Sequence, residues 1–317
     1  MAVSRRGVLG AAGAAGIAGV AGTTAASAVP ASAPSAATGA RGRAVIGPAG
    51  RDRLHVMSFN IRYDAGAAPG TPDSWTDRRP VLERFLRVEQ PTVMGVQEAL
   101  YHQVKQVDGD LLDLVNRDYD WIGLGREGGG RGEFMAIYFD TRRVEPLDYD
   151  HFWLSDTPNV IGSAHWGNTV IRMTTWVRFA DRRSGKEFIH VNTHFDHRSE
   201  NARQRSAALV RDRIADFDPA LPVVLTGDFN TPAENSESYR ILVTDGGLAD
   251  TWNTGERLTP AWGTFPNYQA PVEGGDRIDW VLANEHVEVE RVAINTWTHQ
   301  GRYPSDHAPV QALVRLA

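Results

Sequence analysis

Eight short apolar runs recur between residues 54 and 316, and each is bounded by polar or turn-forming residues. Each run is too short for a typical helix and has the composition of a buried strand. A chain with this many buried strands must pack them as sheets. The runs are LHVMSFNI (54–61), TVMGVQEA (92–99), MAIYFD (135–140), VIRMTTWVRF (170–179), EFIHVNTHF (187–195), PVVLTGDF (222–229), DRIDWVLAN (276–284) and APVQALVRL (308–316).

Two stretches between these runs have helical periodicity instead, RRPVLERFLRVEQ (78–90) and ENARQRSAALVRDRIADF (200–217). Each places its apolar residues on one face of a helix. These faces contain Val81, Phe85 and Val88 in the first stretch, and Ala207, Val210, Ile214 and Phe217 in the second. The mixture predicts an α/β fold of packed sheets with helices outside them, and not an alternating parallel barrel.

Polar side chains follow or flank most of the apolar runs. Taken singly, each has an ordinary explanation as a turn residue, a helix cap or a structural histidine. Together they would gather several carboxylates in one cleft, and such a cleft needs a cation to neutralise it. The residues are Asn60, Glu98, His194, Asp228, Asn230, Asp279, Asp306 and His307.

The ligand types restrict which cation fits. The chain has no cysteine, and oxygen ligands favour a hard ion, Mg²⁺ first and Mn²⁺ or Ca²⁺ as alternatives, over a structural zinc. Mg²⁺ usually takes one or two carboxylates and leaves its other positions for water and phosphate oxygens. Histidines transfer protons near neutral pH. The residue set therefore suits hydrolysis of a phosphate ester.

The ordered series SFNIR, GVQE, NTHFDH, TGDFN, RIDW and SDHAP resembles the endonuclease/exonuclease/phosphatase superfamily, which includes deoxyribonuclease I and related metal-dependent phosphoesterases. The resemblance extends from about Leu54 to Ala317, and six motifs in family order are specific although each alone is weak. It implies a four-layer α/β/β/α sandwich of two packed mixed sheets, with the site at one edge. It also implies a secreted bacterial member of the family.

Roles for the motif residues follow from the resemblance. Glu98 matches the principal metal ligand, with Asn60 beside it and Asp306 as a further ligand. Asp228 matches the residue that orients or deprotonates the attacking water, and Asn230 the one that holds a phosphate oxygen.

The histidines have counterparts as well. His307 would contact the phosphate, positioned by Asp279. His194 matches the histidine near the leaving group, and Glu133 is a possible carboxylate to orient it. Arg62 departs from the abasic-site endonucleases, which have an acid at this position, so a second metal ligand is in doubt.

Several further residues are candidates for reading the substrate at the rim of the cleft. Arginine can clamp a phosphate with two donors, and tryptophan can stack on a base or a sugar. The main candidates are Arg172, Arg203 and Trp262, with Arg198, Trp166 and Phe265 beside them. The glycine-rich stretch GREGGGRGEF (125–134) does not have the P-loop pattern, and we interpret it as a mobile loop bordering the cleft.

The first residues have the pattern of a targeting segment. Arg5 and Arg6 precede an apolar run rich in Ala and Gly, and small residues follow up to Ala28. This resembles a twin-arginine signal peptide, so we expect residues 1–28 to be removed on export to the outside of the cell. Residues 29–51 are expected to form a flexible leader, and residues 52–317 the catalytic domain. No membrane span is expected in the mature chain.

Charge limits the choice of substrate. Removal of residues 1–28 leaves 31 basic and 39 acidic residues, a net charge of −8, which argues against non-specific binding of duplex nucleic acid. We expect a monomeric phosphodiesterase, acting on nucleic acid, a phospholipid head group or a small ester. The alternatives are a phosphomonoesterase of sugar, inositol or nucleotide phosphates and a non-catalytic binding module on the same fold. A glycosidase would leave Asn60, Asn230 and the Asp–His pair without a role.

Overall fold

A computed structural model of the chain describes residues 43–50, 52–115, 119–168 and 170–317. The twin-arginine segment 1–28 and the leader up to residue 42 lie outside the described residues. One compact unit contains residues 39–317. No helix in the described ranges is both long enough and apolar enough to cross a membrane.

The described residues form thirteen strands, five α-helices and one π-helical turn. The strands are β1 (Leu54–Asn60), β2 (Val93–Ala99), β3 (Tyr119–Ile122), β4 (Phe134–Asp140), β5 (Val144–Trp153), β6 (Met173–Asp181), β7 (Glu187–His194), β8 (Val223–Asp228), β9 (Ala249–Asp250), β10 (Glu256–Arg257), β11 (Asp279–Ala283), β12 (Val287–Ile294) and β13 (Val310–Leu316). The helices are α1 (Trp75–Glu89), α2 (Tyr101–Val115), α3 (Glu200–Ala215), α4 (Glu237–Tyr239) and α5 (Thr251–Thr254), and the π-helical turn is Arg240–Thr244.

The strands form two mixed sheets. The first has the order β10-β12-β13-β1-β2-β4-β3, and the second has the order β5-β6-β7-β8-β11-β9. Only the pairs β1–β2, β10–β12 and β7–β8 are parallel among the described strands. The pairs next to the centre of each sheet therefore bring the carboxyl ends of β1 and β2, and of β7 and β8, to the same edge.

Three apolar layers separate four layers of secondary structure. Val56 of β1 and Val224 of β8 belong to the core between the sheets. Phe85 of α1 packs with the outer face of the first sheet, and Val210 of α3 packs with the outer face of the second. The arrangement confirms the predicted four-layer α/β/β/α sandwich, and burial of both sheet faces explains why the strand runs are continuously apolar.

The eight predicted strands and two predicted helices are all present. Helix α1 buries Val81 and Phe85 as expected, but Val88 is only partly buried and Leu82 and Leu86 complete the apolar face. In α3, Ala207 and Val210 are buried, whereas Ile214 and Phe217 are partly buried.

The structure shifts the boundary expected between the leader and the domain. The backbone amides of Val45, Ile46 and Gly47 donate to the carboxylate of Glu89 at 2.7, 3.2 and 3.0 Å. His55 Nδ1 lies 2.9 Å from the Gly47 carbonyl oxygen. Residues 45–47, assigned to the flexible leader from the sequence, are therefore attached to the domain, because Glu89 satisfies three of their backbone donors.

Candidate active site

Polar side chains line the facing edges of the two sheets in two opposed rows. Strands of one sheet stand over strands of the other in the pairs β13–β11, β1–β8, β2–β7 and β4–β6. A polar residue lies at or next to the end of each of these strands. Taken in the order of these strand pairs, the polar residues of the first sheet are His307, Asn60, Glu98 and Glu133. The residues that face them from the second sheet are Asp279, Asp228, His194 and Arg172.

Asn60 joins the two rows at their centre. Its Nδ2 donates to Glu98 Oε1 at 3.0 Å and to Asp228 Oδ2 at 2.9 Å. Its Oδ1 accepts the backbone amide of Arg62 at 3.0 Å. One fully buried carboxamide therefore holds the two carboxylates side by side.

Asp279 and His307 form the second contact between the rows. His307 Nδ1 lies 2.9 Å from Asp279 Oδ2, so this nitrogen donates to the carboxylate. The other ring nitrogen, Nε2, lies 3.8 Å from Asp228 Oδ2. Thr264 Oγ1 accepts the amide of Asp279 at 3.0 Å. The imidazole is therefore fixed with Nε2 directed toward the centre of the site.

Three side chains bring metal-ligating atoms within 4.8 Å of one another: Glu98, Asp228 and His307. Asp306, predicted as a ligand, is not in this group of the described residues. Its Oδ2 lies 3.7 Å from Arg62 Nε, and its Oδ1 lies 3.1 Å from Ser305 Oγ. Glu98 and Asp228 are therefore the carboxylates placed to bind an ion directly, whereas the Asp306 carboxylate is paired with Arg62.

The charges in the site are unbalanced without a cation. Burial, reinforced by the charges of Asp279 and Glu98, raises the pKa of Asp228 to about 7. Burial also raises the pKa of the Asp306 carboxyl. A hard divalent ion would remove this repulsion, and the carboxylate and amide oxygens here are the donors that it prefers. The residues present therefore fit a site for Mg²⁺ or a similar ion.

The protonation of His307 argues for a role other than metal ligation. Burial acts to lower its pKa, but the carboxylates of Asp279 and Asp228 outweigh burial and raise it to about 10. A protonated imidazole donates from both nitrogens and cannot ligate a metal. His307 is therefore suited to donate to a phosphate oxygen, as the resemblance implied.

His194 has the opposite character. Burial and the charges of Arg172 and Arg126 lower its pKa well below the ordinary value, so it is neutral. Its Nε2 lies 2.9 Å from Asn230 Nδ2 and 3.3 Å from Asp228 Oδ2. It therefore belongs to the same network as the predicted water-activating and phosphate-binding residues.

Three residues at the site have left-handed backbone conformations, which are costly without glycine. Their φ angles are 57° for Arg62, 66° for Glu98 and 52° for Asn230. At Glu98 the pairing of β2 with β4 is irregular between Val96 and Ala99. This local irregularity directs the Glu98 carboxylate toward Asn60, and it is retained because the surrounding network fixes it.

Glu133 does not orient His194, contrary to the prediction. Its carboxylate lies 2.7 Å from Arg126 Nη1 and 3.7 Å from Arg172 Nη1. His194 Nδ1, which an orienting acid would contact, has no hydrogen-bond partner in the described part of the chain. The Glu133 carboxylate pairs with two arginines instead.

Two of the predicted rim residues are committed to structural contacts. Arg203 donates to Glu200 and to the Asp196 carbonyl oxygen at 3.0 Å each, so it holds the turn before α3. Trp262 is partly buried against the core between the sheets. The aromatic side chain at the site is Phe265 instead, whose ring centroid lies 4.8 Å from that of His307.

The remaining rim candidates differ in their surroundings. Trp166 Nε1 donates to Asp156 at 2.7 Å, which ties it to the surface loop, and Arg198 is exposed. The glycine-rich stretch is an ordered hairpin: the amide of Arg126 donates to the Glu133 carbonyl oxygen at 3.0 Å. Arg172, like Phe265, is a rim candidate that the fold places at the site.

Sequence reasoning missed Ser305 and Thr264, which position the motif residues. Ser305 Oγ donates to the Asn60 carbonyl oxygen at 2.7 Å and accepts the His307 amide at 3.3 Å. Ser305 lies inside the SDHAP motif, so its place next to Asp306 was the available signal. Thr264 lies outside every motif, and only the fold brings it to Asp279.

Fold and site together define a deoxyribonuclease I-like hydrolase of phosphate esters. The sequence profile of the Endonuclease/Exonuclease/phosphatase family matches residues 57–307, and the chain belongs to this family. The match covers five of the six motifs completely and the first three residues of SDHAP.

Solved structures and a curated relative agree with this assignment. An endonuclease/exonuclease/phosphatase family protein from Bacteroides thetaiotaomicron is 32% identical with a TM-score of 0.77, over 84% of this chain and 98% of that chain. A mannosyl-6-phosphatase from the same organism is also 32% identical with a TM-score of 0.76, over 82% and 99%. An uncharacterised protein of Acanthamoeba polyphaga mimivirus is 29% identical over 56% of this chain and 67% of that protein.

Proposed function

We propose that the chain is a Mg²⁺-dependent phosphoesterase in which a buried aspartate activates water. The observation that carries the proposal is the grouping of Glu98, Asp228 and His307 within 4.8 Å, with His307 held by Asp279. Glu98 and Asp228, bridged by Asn60, would hold the ion. When bound, the ion would polarise a phosphoryl oxygen and stabilise its developing charge.

The side chains of the site supply the remaining chemistry. Asp228 lies at the centre of the site, where its carboxylate can orient a water molecule and accept a proton from it. His307 donates from Nε2 to a phosphate oxygen, and Asp279 keeps the proton on it. The side-chain amide nitrogen of Asn230 lies 2.9 Å from His194 Nε2 and donates to the Phe195 carbonyl oxygen at 3.1 Å, so Asn230 would position His194 rather than hold a second phosphate oxygen. These groups orient the water and the phosphate without any covalent intermediate.

The first test is hydrolysis of p-nitrophenyl phosphate and bis(p-nitrophenyl) phosphate with Mg²⁺, Mn²⁺ or Ca²⁺, and with EDTA. We expect EDTA to abolish turnover and Asp228→Ala to lower it by about 10³-fold, the scale typical for loss of a general base with its electrostatic partner. Asp212→Ala is the matched control, because Asp212 is an exposed residue of α3. Turnover that survives EDTA or Asp228→Ala contradicts the proposal, and no turnover under any condition favours the binding-module alternative.

A second candidate, hydrolysis of monoesters, is favoured over the diester activity expected from the sequence. The similar Bacteroides thetaiotaomicron protein that is named as a mannosyl-6-phosphatase is covered over 99% of its length. A sugar monophosphate would also suit an acidic protein better than a nucleic acid does. Comparison of mannose 6-phosphate with a dinucleotide substrate, by phosphate release and product analysis, distinguishes the two activities.

We also propose export by the twin-arginine route, on the basis of Arg5 and Arg6 ahead of the apolar run. Conversion of both arginines to lysine keeps the charge and should abolish export, because the pathway recognises the arginine pair. The measurement is the distribution of the protein between cells and medium. An unchanged distribution contradicts this route.

A further inference from the structure

Arg172 lies at one end of the two rows of polar residues, in the strand position next to His194. It directly precedes β6, and β6 pairs with β7, which ends on His194. Only 5% of Arg172 is exposed. Its neighbours Ile171 and Met173 pack with Trp153 in a small apolar cluster. The guanidinium is therefore fixed in position beside the site rather than free on the surface.

Two nitrogens of the Arg172 guanidinium group are hydrogen-bond donors without an acceptor in the described part of the chain. Nε and Nη1 are buried and have no hydrogen-bond partner among the described residues. Nη2 lies 3.3 Å from His197 Nδ1, and Nη1 lies 3.7 Å from the carboxylate of Glu133, too far for a hydrogen bond. Buried charged donors without partners are costly, and their retention indicates that a ligand completes them.

The charge around Arg172 favours an anion. Arg126 contacts the same Glu133 carboxylate at 2.7 Å, so two guanidinium groups share one acid. Burial lowers the pKa of Arg172, which is the effect of a cation that is not fully compensated. One positive charge is therefore available at this end of the site, next to the carboxylates at its centre.

The hairpin 125–134 limits access at this end. Trp153 Nε1 donates to the Arg126 carbonyl oxygen at 2.6 Å. A side chain at Gly128 would meet Ile161 at 2.7 Å, so the hairpin tip packs against the loop that contains Ile161. Two packed loops therefore border the end of the site at which Glu133 and Arg172 lie.

We propose that Arg172 binds the non-esterified oxygens of a terminal phosphate and gives the enzyme its preference for monoesters over diesters. The inference rests on the proposed phosphoesterase function. A monoester has three non-bridging oxygens and a charge near −2, whereas a diester has two such oxygens and a charge of −1. The unpartnered donors of Arg172 match the additional oxygen and charge, because a guanidinium makes charge-assisted hydrogen bonds to phosphate oxygens.

The test compares Arg172→Met with the wild-type enzyme on p-nitrophenyl phosphate and bis(p-nitrophenyl) phosphate. We expect kcat/KM for the monoester to fall about 100-fold, the scale of a lost charged hydrogen bond in a buried site. The fall for the diester should be no more than about threefold, so the ratio of the two constants changes. Arg178→Met in β6 is the matched control, because the Arg178 side chain is 43% exposed and pairs with Glu187.

Binding of inorganic phosphate gives a readout apart from turnover. We expect its inhibition constant to rise at least tenfold in Arg172→Met and to remain unchanged in Arg178→Met. Arg172→Lys guards against misfolding of the first variant, since it keeps the charge but loses the two-donor geometry. It should reduce the monoester-to-diester ratio about tenfold.

The outcomes separate the inference from the function on which it rests. Absence of wild-type turnover on both esters means that the proposed function itself has failed. In a second outcome, the wild-type enzyme turns over both esters, while Arg172→Met and Arg172→Lys each lose the same factor in kcat/KM on the monoester as on the diester. In that case Arg172 has a structural role. That result, or an unchanged inhibition constant for phosphate, overturns the inference.

Discussion

At the scale of single residues, the contact between Asp279 and His307 sets the chemistry of the site. Both side chains are buried, and they lie 2.9 Å apart. Burial alone would make the imidazole neutral, as it does for His194. The carboxylates next to His307 raise its pKa and keep it cationic, whereas His194 has a lowered pKa and is neutral.

Asp279→Asn should therefore lower the pKa of His307. Loss of the negative charge and of the charged hydrogen bond lowers the pKa of His307 below about 10, by at least one unit. The measurement is a titration of the histidine ring signals by NMR in metal-free protein, with activity measured in parallel. The buried His190, away from the carboxylates, is the internal control, and an unchanged titration of His307 contradicts this account.

The residues that sequence reasoning assigned best are those whose position is set by their own strand. Asn60, Asp228 and His194 each end a strand, so the end of the apolar run indicated where they lie. Trp262 and Glu133 were assigned by residue type alone. Their contacts are tertiary: Trp262 packs against the core between the sheets, and Glu133 accepts a hydrogen bond from Arg126 across its own hairpin and faces Arg172. Contacts of this kind are set by the packing of the two sheets.

At the scale of elements, the two sheets approach most closely beneath the site, at Gly95 of β2. A side chain at this position would lie 2.1 Å from Thr226 Oγ1 and 2.5 Å from Asn192 Oδ1. Gln97 Nε2 donates to Asn192 Oδ1 at 2.7 Å, so a buried polar network joins the sheets at this point. The absence of a side chain at Gly95 therefore sets the separation of Asn60 and Glu98 from Asp228.

Gly95→Ala should destabilise the protein because the added methyl group overlaps two fixed polar atoms. We expect the free energy of unfolding to fall by about 3 kcal/mol, at the upper end for overpacking of a core. Urea unfolding measures the change. Gly109→Ala is the control, since Gly109 lies in α2 with open space around it. That substitution should stabilise the helix by about 0.5–1 kcal/mol, and a Gly95 variant as stable as the wild type rules out the close approach.

Elements without an apolar run escaped sequence analysis for a physical reason. Strand β5 lies at the edge of its sheet and exposes most of its residues, so it has no buried alternation to recognise. Helix α2 contains Gly109, which weakens the helical signal. The eight buried strands were recognised because both of their faces are covered by other layers.

At the scale of the whole molecule, the space between the sheets contains ionisable groups as well as apolar ones. His190 of β7 is fully buried there, with its Nε2 2.9 Å from Thr226 Oγ1. Burial lowers its pKa to about 3. The folded protein therefore keeps this imidazole neutral at pH values where the unfolded chain, with an ordinary pKa near 6.5, takes up a proton.

This difference predicts a loss of stability in acid. Because the pKa is lower in the folded state, the contribution of His190 is fully present above about pH 6.5 and is lost as the pH falls toward about 3. Between pH 7 and pH 4.5 the free energy of unfolding should fall by about 2–3 kcal/mol through this residue. Urea unfolding in EDTA at a series of pH values measures the slope without contributions from a bound metal ion.

His190→Gln should remove this part of the slope, whereas His165→Gln, in an exposed loop, should not. Equal slopes for His190→Gln and the wild type would mean that His190 takes up its proton without unfolding, and that the space between the sheets admits water.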